Sequence, residues 1–263
     1  MRIVVLMENT ASRDGLAFEH GLSLYLEANG KKILFDAGQS GAFADNALAL
    51  GIDLAEVDFA VLSHGHYDHG GGLLRFLEIN QTAPVYLRRE AFGAHYNGTA
   101  KYIGLDEQLK NSHRLIFVPD VLEIAPGITL TGGAMPELIH PIEPYGLTRR
   151  EGENFLPEDF RHEQYLLIEE AGKRICISGC SHRGVVNIAR RFAPEVLVGG
   201  FHFQKLDPEG AGKPALEQAA VDLLDLPTDY YTGHCTGQAQ FDFLKTRMGH
   251  RLRAISTGME IIL

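Results

Sequence analysis

The sequence predicts an α+β protein in which β-sheets pack face to face and carry helices on their outer sides. Runs typical of strands are followed by runs typical of helices in the first half of the chain, and the same succession returns in the second half. No low-complexity linker and no short repeat interrupts the 263 residues. We therefore expect a single domain spanning residues 1–263.

In the first half, β-branched and aromatic runs predict the strands, and the dipeptide Asn29-Gly30 predicts a hairpin turn between two of them. A helix is expected over residues 41–51, where Gly51 is a suitable C-terminal stop, and another over 73–79. The predicted strands cover residues 2–7, 22–27, 32–38, 57–63 and 83–90.

In the second half, the segment 214–226 has apolar residues at the helical period, and helices are also expected over 182–192 and 239–249. Residues 91–114 favour neither a helix nor a strand. The segment 136–162 is rich in proline and charge, which predicts an irregular functional loop. One role for such a loop is a lid over a functional site. The predicted strands cover residues 114–120, 121–133, 164–179, 195–203, 229–235, 251–257 and 259–263.

Composition narrows the class of protein. The chain has three cysteines, Cys176, Cys180 and Cys235. Their odd number and their spacing do not match a framework of disulfide bonds, which suits a protein of the reducing cytoplasm. The net charge of −10 disfavours nucleic acid as a partner. No apolar stretch approaches the ~18 residues needed to span a membrane, and the N-terminus does not resemble a signal peptide. We expect a cytoplasmic, soluble protein, while its oligomeric state leaves no signal in the sequence.

The segment 63–72, SHGHYDHGGG, carries the strongest chemical signal. His64 and His66 are two residues apart at a strand end, so their side chains project to the same side and can hold one metal ion. Asp68 and His69 can face a second ion after the chain turns. This donor set suits Zn, Fe, Mn, Ni or Co. The glycines 70–72 would open a helix whose N-terminus favours an anion.

This segment resembles the HxHxDH signature of the metallo-β-lactamase superfamily. The chain also resembles one branch of this superfamily more closely, that of the dihydropterin–ribofuranosylaminobenzene phosphate synthase-like proteins. Seven segments carry this resemblance, in this order along the chain: ENTA, EHGLSLYLE, LFDAGQS, SHGHYDHGGGL, SGCSHRGVVNI, GGFHF and GHCTG. The resemblance covers essentially the whole chain. It implies a four-layer αβ/βα sandwich with one or two divalent transition-metal ions at one edge, zinc being the first choice.

The resemblance also implies the ligand set. The first-metal ligands match His64 and His66, the second-metal ligands match Asp68 and His69, and His234 matches a further second-site histidine. The chain departs from the family where an aspartate usually bridges the two metals.

Cys180 stands at that position, either as a thiolate ligand or as a buried cysteine, and His182 follows two residues later. We expect His182 to replace a missing family histidine, with His162 as the competitor.

Other candidates surround this set. Asp36 is expected to orient a ligand histidine or to cap the following turn. Glu8 and His20 belong to family-like stretches that would line the pocket, and His202 follows a glycine pair at a strand end. Arg183 is a candidate phosphate contact or a solvated surface residue. We interpret Glu8, His20, His202 and Arg183 as candidate substrate-binding residues.

Two reactions and one non-catalytic role follow from these residues. The family branch implies metal-assisted displacement of diphosphate from a phosphorylated small molecule by an arylamine. The alternative is hydrolysis of a phosphoester, lactone or thioester by metal-bound hydroxide, with Asp68 as the catalytic residue that steers the proton. A non-catalytic metal-binding domain is the third possibility.

Overall fold

The computed structural model describes residues 1–132 and 138–263. Within these residues two seven-stranded sheets pack face to face, and helices cover the outer side of each sheet. The predicted α+β sandwich of four layers is therefore confirmed. No helix in the described ranges is long and apolar enough to cross a membrane.

The strands in chain order are β1 (Arg2–Met7), β2 (Ser23–Ala28), β3 (Lys31–Phe35), β4 (Phe59–Val61), β5 (Val85–Leu87), β6 (His95–Asn97), β7 (Lys101–Tyr102), β8 (Leu115–Phe117), β9 (Val121–Ala125), β10 (Ile128–Gly132), β11 (Leu147–Glu151), β12 (Asn154–Pro157), β13 (Gln164–Glu170), β14 (Lys173–Gly179), β15 (Val196–Gly199), β16 (Asp229–Thr232), β17 (Leu252–Ala254) and β18 (Glu260–Ile262). The helices are α1 (Ala42–Ala49), α2 (Tyr67–Gly70), α3 (Leu73–Ile79), α4 (Val185–Phe192), α5 (Lys213–Leu224) and α6 (Gln238–Met248). Short 3-10 turns cover Leu54–Glu56, Arg89–Phe92, Glu107–Asn111, His234–Thr236 and Gly249–Arg251.

The two large sheets have related topologies. The first has the order β18-β1-β2-β3-β4-β5-β8, in which β3, β4, β5 and β8 are parallel. The second has the order β17-β16-β15-β14-β13-β10-β9, in which β14 to β17 are parallel. Each sheet thus joins an antiparallel half to a parallel half, which matches the succession seen in the two halves of the sequence.

Side-chain alternation along β1 shows why four layers form. Ile3 and Val5 belong to the core between the two sheets, whereas Val4 and Leu6 belong to the core under α1 and α3. A third core lies between the second sheet and α4, α5 and α6. The strand is apolar on both faces because both faces are covered, as is usual where helices pack on a sheet.

The prediction of an irregular loop over residues 136–162 is wrong in part. β11 and β12 form a hairpin inside this segment, and β11 pairs with β6 to make a four-stranded sheet in the order β12-β11-β6-β7. These strands are largely polar and partly exposed, so they lack the apolar run that identifies a buried strand. Residues 133–137, the end of one predicted strand and the start of the predicted loop, lie outside the described residues.

Predicted strands near the metal motif are longer than the observed ones. Instead of covering residues 57–63, β4 ends at Val61, and the chain leaves the sheet to form the turn that carries His64 and His66. The hairpin at Asn29-Gly30 is present, and both residues have the positive φ that a tight hairpin turn of this kind requires.

Candidate metal centre

The candidate site lies where parallel strands of both large sheets end. Asp36 follows β3 and His64 follows β4 in the first sheet, while Cys180, His202 and His234 follow β14, β15 and β16 in the second. The carboxyl ends of parallel strands share one edge, so residues far apart in sequence meet there.

Backbone strain is concentrated at this edge. Asp36, Ser181, His202 and His234 all have positive φ, between 49° and 58°, although none of them is glycine. Non-glycine residues in this region are costly and concentrate at functional sites, where the surrounding structure holds them in place. The strain therefore marks the same edge that the histidines occupy.

His64, His66 and His182 form the first group of converging donors, which we call the first donor group. Their candidate ligand atoms lie within 4.8 Å of one another, and all three residues are buried. His64 Nε2 lies 3.2 Å from His182 Nε2, across 118 positions of sequence. The structure thus brings His182 to the pair of histidines that the motif contributes, as expected.

Asp68, His69 and His234 form the second donor group beside it. His69 Nε2 lies 3.2 Å from His234 Nε2, and Asp68 Oδ2 lies 3.3 Å from the same His234 nitrogen. Cys180 lies between the two groups: its Sγ is 3.1 Å from His69 Nε2, and with His64 and His69 it forms another set of atoms within 4.8 Å. If two ions were bound, Cys180 would be the residue placed to share its thiolate between them.

Asp36 supports both groups from β3. Its Oδ2 is 2.6 Å from His69 Nδ1 and accepts a hydrogen bond from Ser63 Oγ at 2.7 Å. The Ser63 hydroxyl in turn lies 2.8 Å from His64 Nδ1. A carboxylate at the far ring nitrogen fixes the orientation of a ligand histidine, which is the role expected of Asp36 rather than that of a turn cap.

Electrostatics keep several of the donors, although not all of them, in metal-binding forms. Burial lowers the pKa of His64, His66 and His182 well below the usual range, so their rings are neutral. Burial alone would lower the pKa of His69 as well, but the Asp36 carboxylate outweighs it and raises that pKa. Burial would raise the pKa of Asp68, yet hydrogen bonds from His20 and His234 hold it well below its usual value, so Asp68 is a carboxylate.

The residues present fit divalent transition-metal ions. Several ring nitrogens, a carboxylate and a thiol converge at distances of 3.1–3.3 Å inside a buried pocket. In the described part of the chain, His66 Nε2 and His182 Nδ1 are buried and without a hydrogen-bond partner. Nitrogen, oxygen and sulfur donors together are the set that zinc and its neighbours prefer.

His162, the competitor of His182, lies behind the first donor group. Its Nδ1 accepts a hydrogen bond from the Gly65 amide at 2.9 Å, and its ring stacks near His95 with 4.0 Å between centroids. It forms a separate set with His66 and His95. The geometry therefore favours His182 as the partner of His64, and it gives His162 a supporting place.

The candidate substrate contacts divide into two pairs. His20 and His202 line a cavity that members of both donor groups also line, namely His66, Asp68, His182 and His234. We call it the histidine cavity, and it measures about 120 Å³. Glu8 does not line it; its Oε1 accepts from the His234 amide at 2.6 Å, so Glu8 positions a ligand histidine. Arg183 does not line it either, because its guanidinium donates to the Asp159 carbonyl. Neither Glu8 nor Arg183 is placed to contact a substrate in this cavity.

The glycines 70–72 have a packing role instead of the expected anion-binding role. A Cβ on Gly71 would lie 2.2 Å from the Gln39 carbonyl oxygen, and one on Gly72 would lie 2.2 Å from that of Ala37. The loop after β3 therefore packs directly on these glycines, and they do not line the histidine cavity. The close approach brings Asp36 within reach of His69.

Sequence reasoning missed two residues of the site. Lys101, on β7, is the only lysine or arginine among the described residues that line the histidine cavity, and its Nζ lies 3.3 Å from the Tyr67 hydroxyl. Glu163 accepts a hydrogen bond from the His182 amide at 2.6 Å, and burial raises its pKa to about 7. Lys101 sits in the segment that predicted no element, so nothing in the sequence pointed to it.

The fold and the donor cluster together define a sandwich protein with a candidate metal site at the strand ends. The family model of the metallo-beta-lactamase superfamily matches residues 17–157. This chain belongs to that superfamily, whose fold implies bound divalent metal ions.

Relatives support this assignment across nearly the whole chain. An uncharacterised protein of Methanocaldococcus jannaschii is 30% identical over 89% of this chain and 90% of its own length. From the same organism, 7,8-dihydropterin-6-methyl-4-(beta-D-ribofuranosyl)-aminobenzene-5'-phosphate synthase is 29% identical over 83% of this chain and 81% of its own. The resemblance to the synthase branch is thereby confirmed.

Solved structures give the same result. Tm1679, a metal-dependent hydrolase of the beta-lactamase superfamily, superposes with a TM-score of 0.83 at 29% identity, covering 100% of this chain and 99% of its own. Zn(2+)-bound PqqB from Methylobacterium extorquens shares the fold, with a TM-score of 0.58 at 14% identity over 100% of both chains. This protein is thus similar to a metal-dependent hydrolase and to a synthase.

Proposed function

We propose that this protein is a metal-dependent enzyme that acts on a phosphorylated small molecule. The observation that carries the proposal is the pair of adjacent buried donor groups, in which neighbouring candidate ligand atoms lie 3.2–3.3 Å apart. His64, His66 and His182 would hold the first ion, Asp68, His69 and His234 the second, with Cys180 between them. Zinc suits this donor set best.

A bound ion would supply Lewis acidity at a phosphoryl oxygen and lower the pKa of a coordinated water. The chain's own residues do the rest. Lys101 places a positive charge at the cavity wall, where it can bind a phosphate oxygen. Asp68 faces the same cavity, and its carboxylate can accept a hydrogen bond and so direct a proton toward His20, 3.2 Å away.

Hydrolysis is the reaction that the site supports best. The His20 side chain is 44% exposed at the mouth of the cavity, so water reaches Asp68 and the donors behind it. The second candidate is displacement of diphosphate by an arylamine. Similarity to the synthase over 83% of this chain favours it. Both reactions would use the same donors and differ in the nucleophile.

Replacing both His64 and His66 by alanine tests the metal site. We expect the double variant to lose bound metal, as measured by elemental analysis of the purified protein, because each of the two histidines contributes to the first donor group. The matched control replaces His113 and His250, which are both exposed. Undiminished metal in the double variant would refute the assignment.

Incubation with dihydropterin diphosphate separates the two reactions. Release of diphosphate only when the ribose-phosphate-bearing arylamine is added supports the synthase reaction. Phosphate or diphosphate release that ignores the arylamine supports hydrolysis. If a panel of phosphoesters and diphosphates gives no release from the metal-loaded protein, the proposed function is wrong.

A further inference from the structure

His182 differs from the other candidate ligand histidines in what holds its ring. Three of the others have a polar group within hydrogen-bond distance of Nδ1, namely Ser63 beside His64, Asp36 beside His69 and Asn9 beside His234. His182 Nδ1 is buried and lacks such a partner among the described residues. Since His182 Nε2 is the atom that lies 3.2 Å from His64 Nε2, no hydrogen bond at the far ring nitrogen fixes the plane of this ring within the described chain.

An aromatic stack takes the place of that hydrogen bond. The Phe160 ring lies parallel to the His182 ring, with 4.5 Å between the centroids and 4° between the planes. Phe160 is fully buried, so the two rings meet away from solvent. Stacked aromatic rings prefer a defined relative orientation, and the flat face of Phe160 therefore restricts tilting of the His182 ring.

The backbone holds Phe160 in an unfavourable conformation. Its φ is 52°, in a region that a bulky aromatic residue rarely adopts. Glu158 Oε1 accepts hydrogen bonds from the amides of Asp159 and Phe160 at 3.1 and 3.2 Å, and Glu158 Oε2 lies 2.7 Å from Nδ1 of His95 on β6. Glu158 thus ties this turn to the four-stranded sheet. Strain that the surrounding structure maintains is typical of functional positions.

The same segment supports the rest of the first donor group. His162 Nδ1 accepts a hydrogen bond at 2.9 Å from the amide of Gly65, the residue between His64 and His66. Glu163 accepts a hydrogen bond from the His182 amide at 2.6 Å. We call residues 158–163 the brace. Within the brace, Phe160 contacts a ligand ring face to face, whereas His162 and Glu163 bond to the backbone beside the ligands.

We propose that Phe160 is the positioning residue of His182. Its ring holds the His182 ring in the orientation that directs Nε2 toward the first donor group, in place of a hydrogen bond at Nδ1. This inference rests on the proposed function, because it takes His182 as a metal ligand. It assigns a role in metal binding to a side chain that has no ligand atom of its own.

Replacing the aromatic ring tests the proposal. Phe160→Leu and Phe160→Met keep the position apolar and remove the flat face, and methionine also adapts to the space that the ring leaves. Because groups that orient a ligand histidine contribute strongly to metal affinity, we expect both variants to bind zinc roughly 10-fold more weakly in competition with a fluorescent chelator. The d–d absorption bands of the cobalt-substituted variants should also change, since these bands report the geometry around the ion.

Phe76→Leu is the matched control. Phe76 is a fully buried phenylalanine on α3, in the core that this helix forms with α1 and the first sheet. The control should keep the zinc affinity and the cobalt bands of the wild type, including when its Tm falls as far as that of Phe160→Leu. Phe160→Met replaces Phe160→Leu if the leucine variant does not fold.

Two results overturn the inference. One is wild-type zinc affinity and wild-type cobalt bands in the folded Phe160 variants, and the other is an equal loss of affinity in Phe76→Leu. These measurements need no substrate. A wild type that binds zinc but acts on none of the phosphorylated compounds therefore contradicts the proposed function alone, whereas unchanged metal binding by the Phe160 variants of an active enzyme contradicts the inference alone.

Discussion

Asp36 is the residue on which the geometry of the motif depends most. It accepts hydrogen bonds from the Ser63 amide and hydroxyl, and its Oδ2 contacts His69 Nδ1. All of these groups are fully buried, so no water replaces a lost acceptor. One carboxylate thus sets the orientation of His69 directly and that of His64 through Ser63.

We expect Asp36→Asn to weaken metal binding by roughly 10- to 100-fold, because the amide offers one acceptor where the carboxylate offers two. Competition with a fluorescent zinc chelator measures the affinity. Asp58→Asn is the control, since Asp58 bonds to Lys31 and Lys32 on the same sheet, away from the site. Equal affinities of Asp36→Asn and the wild type would contradict the assigned role.

Cys180 is the thiol that lies between the two donor groups. Burial raises the pKa of its thiol well above the ordinary value, so without a metal it stays protonated. A bound cation would reverse this preference, since a coordinating thiol is deprotonated.

We therefore expect the cobalt-substituted protein to show thiolate-to-cobalt charge-transfer absorption in the near ultraviolet. This band should disappear in Cys180→Ser and persist in Cys176→Ala, because Cys176 is buried in the core under α4 and α5. Absorption spectra of the three proteins at equal cobalt content make the comparison. A band that survives Cys180→Ser would show that Cys180 is not a ligand.

At the scale of elements, the four-stranded sheet of β6, β7, β11 and β12 completes the histidine cavity. Asn97, Lys101 and Leu147 reach the cavity from this sheet, while the metal donors come from the ends of the large sheets. A scaffold of buried parallel strands thus holds the donors rigidly, and a more polar, more exposed sheet contributes the groups that would contact the rest of a ligand.

We expect Lys101→Ala to raise KM for a phosphorylated substrate about 2- to 10-fold and to leave metal content unchanged, because its charge is at the partly exposed wall of the cavity. Steady-state kinetics with 2-naphthyl phosphate measure the effect. Lys110→Ala is the control, as Lys110 pairs with Glu107 on an exposed turn. A KM that does not change would remove Lys101 from the binding site.

At the scale of the whole molecule, the candidate metal centre joins the two large sheets. The contacts between His64 and His182 and between His69 and Cys180 each connect the first sheet to the second. An ion held by donors from both sheets binds the folded chain and not the unfolded one. Metal binding is therefore linked to the free energy of unfolding.

We expect zinc at about a hundredfold excess over its Kd to stabilise the fold by about 2.7 kcal/mol, which corresponds to a rise in Tm of about 5–11 °C for a protein of this size. Differential scanning calorimetry with and without zinc measures the shift. The His64/His66 double alanine variant should show a much smaller shift. An identical Tm for the wild type in zinc and in chelator would contradict the linkage.

Much of the architecture could be predicted because its signals are local. Apolar runs marked the buried strands, periodicity marked α5, and the Asn29-Gly30 turn marked a hairpin. β11 and β12 were missed because apolar and polar residues alternate only weakly in partly exposed strands, so that their sequence resembles that of a loop. Lys101 was missed for the same reason, since its role comes from a sheet that the sequence did not reveal.

The sequence alone predicted the four candidate donors His64, His66, Asp68 and His69, because two histidines on an extended segment followed by one helical turn are brought near one another by local geometry. Only the tertiary structure decided that His182 and not His162 meets His64, and that Cys180 lies between the donor groups. Those contacts join strand ends of two different sheets. They depend on how the sheets pack, and no local pattern encodes that packing.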